Sequence, residues 1–269
     1  KRTRVDRDSK VLKASSDSSF PSHGAPGVPA TVVSLEHAAR LAPDKLLAPA
    51  TVNLHGGIRS AATVLVVLAA GKGTRFGQQP KCIQSVLGTP LARHSIDAFR
   101  SVTAAPAVCI VGYKHEEVSA ALGNDNVYVR SDNPTGGTAF AVFEAFCVPE
   151  LLAANPLVVV TMGDRVVPPI IFRRLLETHA AGNGEADLTF LTARYEAPRQ
   201  MGKGRVLRNE AGRVTRIVEQ KDIADEPDAV ARQALNNLTE GNCPLYVIRA
   251  ATLFRHLARL TNANAQRQF

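Results

Sequence analysis

The sequence predicts an α/β fold, a Rossmann-like, mostly parallel mixed sheet with helices on both faces. Three observations carry this expectation. Val64–Leu68, Ala107–Val111 and Leu157–Met162 are short, continuous apolar runs rich in β-branched residues, the pattern of strands buried on both faces. Stretches with helical character lie between such runs, so strands and helices alternate along the chain. Two of the runs end in glycine, at Gly71-Lys72-Gly73 and Gly163-Asp164. In sheets of this kind ligands bind at the carboxyl ends of the strands.

The elements follow in order. Residues 1–29 are rich in Ser, Lys, Arg, Pro and Gly without an apolar period and read as disordered. Thr31 to Leu54 supports one or two helices broken by Pro43 and Pro49, and His55-Gly56-Gly57 reads as a linker. Residues 1–61 are therefore taken as a basic, partly disordered extension and linker, and residues 62–269 as the folded domain. After the first strand, Pro90–Phe99 reads as a helix, Ala107–Val111 as the second strand and His115–Leu122 as a helix. Val127–Arg130 is a third strand and Thr138–Phe146 a helix. Leu157–Met162 leads into a helix over Pro168–His179, with prolines at its start, where a missing N–H is tolerated. Leu188–Ala193 is a further strand. Arg205–Leu207 and Val214–Val218 flank Asn209-Glu210-Ala211-Gly212, a hairpin turn. Leu245–Ile248 and a helix from Ala250 to Leu260 complete the reading.

Composition narrows the classes of function. With 269 residues and 45% hydrophobic content, the chain can bury a sizeable core. The net charge of +8 is uneven, since residues 1–60 hold nine Lys/Arg against five Asp/Glu. That basic leader reads as a solvated tail. It has neither aromatic interleaving nor a nucleic-acid module, so no nucleic-acid partner is expected. No apolar run reaches the length of a membrane span, and no membrane partner is expected. Cys82, Cys109, Cys147 and Cys243 form no C-x-x-C pair, which suggests thiols in a reducing cytoplasm. The seven histidines show no metal-ligand spacing. The chain begins at Lys1 and reads as a processed or excerpted piece.

The richest chemistry lies in Val64–Lys81, VLVVLAAGKGTRFGQQPK. The dinucleotide fingerprint G-x-G-x-x-G fails, because Phe76 occupies the third glycine's place. A Walker loop fails too, because Gly73 follows Lys72 and Val66 replaces the leading glycine. What remains is a loop whose glycines let backbone N–H groups approach an anion, with Lys72, Arg75 and Lys81 supplying positive charge. Such a loop suits a triphosphate, on which Arg forks across two oxygens and Lys acts as a point charge.

The run L-A-A-G-K-G-T-R followed by P-K resembles the signature loop of the sugar-1-phosphate nucleotidyltransferases, most of all the uridylyltransferase domain of bacterial N-acetylglucosamine-1-phosphate uridylyltransferases. The likeness continues in order through Asn133-Pro-Thr-Gly-Gly-Thr138-Ala, Met162-Gly-Asp164, Gly204-Arg-Val, Ile217-Val-Glu219-Gln-Lys-Asp, Glu240-Gly-Asn242 and Leu260-Thr-Asn-Ala-Asn-Ala-Gln266. The resemblance implies the nucleotide-diphospho-sugar transferase type of fold. It also implies transfer of a nucleotidyl group from a nucleoside triphosphate, UTP favoured, to a sugar 1-phosphate, N-acetylglucosamine 1-phosphate favoured, with release of pyrophosphate. On this basis Arg75 and Lys81 are catalytic, holding the triphosphate and the departing pyrophosphate. Leu68, Ala69, Ala70, Gly71, Lys72, Gly73, Arg130, Gly136, Gly137 and Thr138 bind the nucleotide. Gly204, Glu219 and Asn242 bind the sugar, and Asp164 binds Mg²⁺. The resemblance leaves open a homo-oligomer of a full-length protein.

Departures from the family pattern keep a second reading open, a non-catalytic nucleotide- or sugar-phosphate-binding module, or an enzyme using another base or sugar such as CTP. Arg130 stands where the family has a base-reading glutamine, and a guanidinium donates but cannot accept. Arg165-Val-Val-Pro-Pro follows the aspartate in place of a small residue and Pro-Leu, and Asn242-Cys243-Pro244 replaces Asn-Thr-Gly. The family's second metal-binding asparagine and its β-helix acetyltransferase domain fall beyond Phe269.

Overall fold

A computed structural model describes residues 11–14, 45–47, 51–73, 77, 79–133, 136–182, 186–195 and 202–260. The chain divides into two compact units, residues 18–173 with 248–269 and residues 1–17 with 174–247. Each is described by itself, with strands and helices numbered along the chain.

The first unit is built on four parallel strands, β2 (Thr63–Ala69), β5 (Ala107–Val111), β6 (Val127–Arg130) and β7 (Leu157–Met162). Their spatial order is β7-β2-β5-β6. Every residue of β5 and all but the first of β2 are buried, which is why these segments are continuous apolar runs. The parallel register sets Ala69 beside Val111, Val111 beside Arg130, and Leu68 beside Met162. The chain steps outward from β2 to β5 and β6, then returns to place β7 on the far side of β2. The order of strands therefore reverses between β2 and β7, and at such a point the loops beyond the strand ends diverge and open a crevice.

Helices α1 (Thr51–Ser60), α2 (Leu91–Thr103), α3 (His115–Leu122), α4 (Thr138–Glu144), α5 (Glu150–Ala154) and α9 (Ala250–Leu257) clothe this sheet. On α2 the buried Ala92, Ser95, Ile96 and Phe99 lie on one stripe, and the Phe99 ring meets Phe172 edge-on at 5.3 Å. Phe254 of α9 stacks on Phe143 and meets Phe146 edge-on. Two short strands, β3 (Ser85–Val86) and β4 (Thr89–Pro90), form a hairpin. Its central residues, Leu87 and Gly88, both have positive φ.

The expected linker is not one. His55, Gly56 and Gly57 lie inside α1, whose His55 Nδ1 sits 2.8 Å from the buried Glu150 of α5. Upstream, Leu46 bridges Val129 in antiparallel sense and the Leu47 N–H donates to the Tyr128 carbonyl at 3.1 Å. Residues 45–47 thus extend the sheet at β6, satisfying edge groups that would otherwise be open. The rest of residues 15–44 lies outside the described residues.

In the second unit, β8 (Leu188–Arg194) lies between β1 (Val11–Ala14) and β11 (Glu240–Arg249, the last two residues of which belong to the first unit). Strand β1 runs antiparallel to β8, so these four residues of the leader are extended and paired instead of disordered. The hairpin of β9 (Arg205–Arg208) and β10 (Val214–Val218) forms about the expected turn and joins β11 at Gly241 opposite Arg205. Helices α7 (Gln220–Ala224) and α8 (Ala229–Asn237) follow it. Helix α6 (Pro169–Ala180) carries the chain from one unit into the other.

Glu144 is the one fully enclosed carboxylate among the described residues, with Lys45 Nζ 3.4 Å away. Burial pushes its carboxyl above the usual range, opposed by the Ser131 hydroxyl and by Lys45. The raised value means that the folded state holds this proton more tightly than the unfolded chain does. Its contribution to stability is complete below the ordinary glutamate range and is lost as pH rises through the raised value. Glu144→Gln should therefore gain stability relative to the parent as pH rises from 4 to 8 in urea titrations. Lys45→Met strands the buried carboxylate and should cost on the order of 3 kcal/mol at neutral pH.

Candidate functional site

The site is assembled by the segments that leave the carboxyl ends of the parallel strands. Three backbones meet there at close range. Gly163, just past β7, donates its N–H to the Leu68 carbonyl at 2.8 Å. A Cβ at Gly163 would stand 3.0 Å from that carbonyl and 3.1 Å from the Cys82 Cβ. Past β5, Tyr113 donates to the Ala70 carbonyl at 3.1 Å, and a Cβ at Gly112 would stand 2.8 Å from the same oxygen. Two glycines therefore let the chains following β5 and β7 close on the end of β2 from either side. Leu68, Ala69 and Ala70 are buried there, and Gly71 and Lys72 emerge into solvent. Gly71 faces open space, whereas Gly73 at φ 56 packs on Lys81, its would-be Cβ only 3.2 Å from the Lys81 Cβ. Lys81 and Gly73 are therefore neighbours.

The two groups on which the sequence reading turned are in contact. Lys81 Nζ lies 2.7 Å from Asp164 Oδ2, across the crevice between β2 and β7. The other carboxylate oxygen lies 3.7 Å from Arg165 Nε. Asp164 is about a third exposed, at 32%, so the carboxylate is reachable from solvent. Its loop is pinned from below: the buried Ser95 hydroxyl donates to the Arg165 carbonyl at 2.6 Å and accepts from the Val167 N–H at 3.0 Å. Buried Cys82, with its thiol pushed up to about 11 chiefly by burial, lies beneath the same crevice and stays protonated. Arg75 lies outside the described residues.

At the far side, Arg130 ends β6 and Gly136 and Gly137 close the loop leading to Thr138, the first residue of α4. Gly137 at φ 98 takes a conformation that favours glycine, and a Cβ at Gly136 would meet the Phe140 ring at 2.8 Å. Two charged residues that the sequence reading passed over stand beside Arg130. Asp132 Oδ1 lies 3.4 Å from Arg130 Nε, and Asp132 Oδ2 lies 3.2 Å from Lys45 Nζ. The i, i+2 spacing of Arg130 and Asp132 could have signalled the first contact. Nothing in the sequence signals Lys45.

The three residues assigned to the sugar come together within the second unit. The Asn242 N–H donates to the Gly204 carbonyl at 2.8 Å, and a Cβ at Gly204 would stand 2.8 Å from Glu219 Oε1. Asn242 donates its amide to the Tyr246 hydroxyl at 2.7 Å, and its buried Oδ1 accepts nothing among the described residues. A buried acceptor without a donor is costly, and a ligand hydroxyl or amide would relieve it. Glu219 caps the start of α7 by position without making a side-chain cap bond.

Among the described residues, no three His, Cys, Asp or Glu side chains group as metal ligands. A single exposed carboxylate at a strand end still fits Mg²⁺. That ion keeps most of its water and is held by one or two carboxylates together with substrate phosphates.

A parallel α/β sheet with a basic glycine loop and an acid meeting at the strand reversal defines the nucleotidyltransferase class of fold. Residues 65–269 match the MobA-like NTP transferase domain, and the chain belongs to that family. A relative, the bifunctional protein GlmU of Heliobacterium modesticaldum, is 36% identical over 206 residues, covering 76% of this chain and 42% of its own. The chain thus spans about two fifths of that relative's length. Among solved structures, one described as a glucose-1-phosphate thymidylyltransferase of Bacillus anthracis matches with a TM-score of 0.53 at 18% identity, covering 71% of this chain and 73% of its own. CMP:2-keto-3-deoxy-manno-octonic acid synthetase in complex with CTP matches with 0.51 at 14% identity, covering 73% and 77%. These two likenesses concern the fold. They bear out the expected α/β architecture.

The close approach at Gly112 gives a stability prediction. Gly112→Ala forces a Cβ against the Ala70 carbonyl and should cost about 1–3 kcal/mol in denaturant unfolding. Gly71→Ala, which enters open space, should stay within about 0.5 kcal/mol of the parent.

Proposed function

We propose that this protein transfers a nucleotidyl group from a nucleoside triphosphate to a sugar 1-phosphate, with UTP and N-acetylglucosamine 1-phosphate as the favoured pair. The observation that carries this reading is the 2.7 Å contact between Lys81 and Asp164 at the strand reversal. A cation suited to phosphate oxygens stands there beside a carboxylate that suits Mg²⁺. The reaction is an in-line displacement: a phosphate oxygen of the sugar 1-phosphate bonds to the α-phosphorus, the bond to the bridging oxygen of the β-phosphate breaks, and pyrophosphate departs. No covalent enzyme intermediate is needed, so the protein acts by positioning and by neutralising charge.

Within that scheme the backbone from Ala69 to Gly73 cradles the triphosphate, and Lys81, with Arg75 as the family resemblance implies, holds the charge that builds on the departing pyrophosphate. Mg²⁺, bound at Asp164 and by the phosphates, would supply further charge neutralisation. Gly136, Gly137 and Thr138 border the base. The unsatisfied Asn242 oxygen, with Gly204 and Glu219, supports the sugar assignment. The four cysteines are thiols among the described residues, and no described helix is long and apolar enough to cross a membrane. The thiols support a cytoplasmic setting.

One observation favours the rival reading of a binding module: both oxygens of Asp164 already face cations, Lys81 and Arg165. Turnover separates the two. The protein with UTP, N-acetylglucosamine 1-phosphate and Mg²⁺ should release pyrophosphate, and chelation should stop it. Tight nucleotide binding with no pyrophosphate from any of the four triphosphates, across a panel of sugar phosphates, would establish the module instead. In an active protein, Lys81→Ala and Asp164→Ala should each lower kcat by roughly 10²–10³-fold, as expected for groups acting on transition-state charge. Glu219→Gln should instead act mainly on KM for the sugar phosphate, read from initial rates at saturating UTP.

A further inference from the structure

We propose that Arg165, acting with Lys81, keeps Asp164 closed to a free divalent cation, so that a metal reaches this carboxylate only with the polyphosphate that draws the two cations away. The proposal rests on the nucleotidyl-transfer reading and deepens it, because it gives a part to a residue that departs from the family pattern. Asp164 has two oxygens, and each faces a positive side chain. Oδ2 lies 2.7 Å from Lys81 Nζ, and Oδ1 lies 3.7 Å from Arg165 Nε. Together the three side chains sum to one positive charge, which repels a dication that arrives alone. A polyphosphate reverses the sign. It offers each cation more negative oxygens than one carboxylate does, and its own oxygens share the metal with Asp164.

The two cations are held differently. Lys81 makes the shorter contact, and its stem packs against Gly73. Arg165 is anchored through its backbone: its carbonyl accepts from the buried Ser95 hydroxyl at 2.6 Å, and its N–H donates to the Met162 carbonyl at 3.3 Å. Its side chain is 43% exposed, and its guanidinium makes no other ion pair among the described residues. An anchored backbone with an exposed head lets the guanidinium turn from carboxylate to phosphate without moving the loop that carries Asp164. At 3.7 Å and screened by water the contact with Asp164 is weak, so leaving it costs little. A guanidinium also forks across phosphate oxygens, which strengthens the alternative. On this account the double engagement of Asp164 guards the carboxylate and does not disable it.

Two binding measurements on the full chain, neither of which involves turnover, test the gate. Mn²⁺ alone is followed by loss of its free-ion EPR signal, and inorganic tripolyphosphate is titrated calorimetrically with a chelator present. The parent should bind tripolyphosphate and take up Mn²⁺ alone only weakly. Arg165→Ala should bind Mn²⁺ about fivefold to tenfold more tightly than the parent, because one unit charge beside a dication is gone. The same variant should bind tripolyphosphate about threefold to tenfold more weakly. Arg165→Lys, which keeps the charge, should return both affinities to within about twofold of the parent. Adding Asp164→Asn to Arg165→Ala should abolish the gain for Mn²⁺, and a gain that persists there overturns the assignment to Asp164. The gate requires the two affinities to move in opposite directions. Both falling together marks a structural arginine, neither moving marks one that points away, and a shift in one alone uncouples metal from phosphate. Each of these overturns the gate while leaving nucleotidyl transfer standing. A parent that binds no tripolyphosphate overturns the phosphate site, and nucleotidyl transfer with it.

Discussion

The candidate site depends on how closely backbone can approach backbone at the end of β2. In a parallel sheet the strand ends lie side by side at the spacing of the ladder, and side chains on the following loops would normally hold those loops apart. Gly112 and Gly163 remove that obstacle on both flanks. The loops after β5 and β7 then hydrogen-bond to carbonyls of Ala70 and Leu68. This closure brings the chain after β7 against the chain after β2, and the contact of Asp164 with Lys81 follows from it. The loop's own fold adds the second half of the constraint. Gly73 at positive φ seats on the Lys81 stem, so the lysine is presented by packing as well as by charge.

Charge is arranged around that junction with a sign that matters. Arg165 stands beside Asp164, and Lys81 is already engaged with it. The ion pair restrains the Lys81 side chain, and in the proposed reaction this would lower the entropy it loses on meeting a phosphate. With both partners about a third exposed, the pair itself adds little to stability, because water screens it. On the proposed reading its worth is in preorganisation. Ser95 serves the same end from the core, since one hydroxyl, donating to one backbone group and accepting from another, fixes the two sides of the loop that carries Asp164.

The core strands were legible because burial on both faces leaves one solution in sequence, an unbroken β-branched run. β5, β6 and β7 have the bounds that the runs have, and the hairpin at Asn209–Gly212 follows from its turn residues. Elements without such a signature were missed. Helix α8 buries no residue, so it has no apolar stripe to find. The β3–β4 turn uses Leu87 at positive φ, where Asn or Asp would have been the signal. The first half of β11 carries Gly241 and Pro244, which disguise a strand as a loop. His55-Gly56-Gly57 looked like a linker because glycine is a poor helix former, yet α1 is held by tertiary contacts such as His55 with Glu150. In the site, family-like motifs marked Lys81 and Asp164 separately. Their contact, across 83 positions, is a product of strand order and was not in the spacing.

The segment at residues 45–47 shows why the boundary between extension and domain cannot be drawn from composition. It joins β6 mainly through backbone hydrogen bonding, and edge pairing asks little of side-chain pattern. Its one distinctive side chain, Lys45, would look like any other basic residue of a basic leader. What makes it structural is Glu144. A carboxyl enclosed in the core is costly to ionise without a counterion, and none of the neighbouring strands supplies one, since β5 and β6 are apolar up to Arg130. The extension thus completes the electrostatics of the folded unit, and its contact with Asp132 carries that influence to the loop beside Arg130.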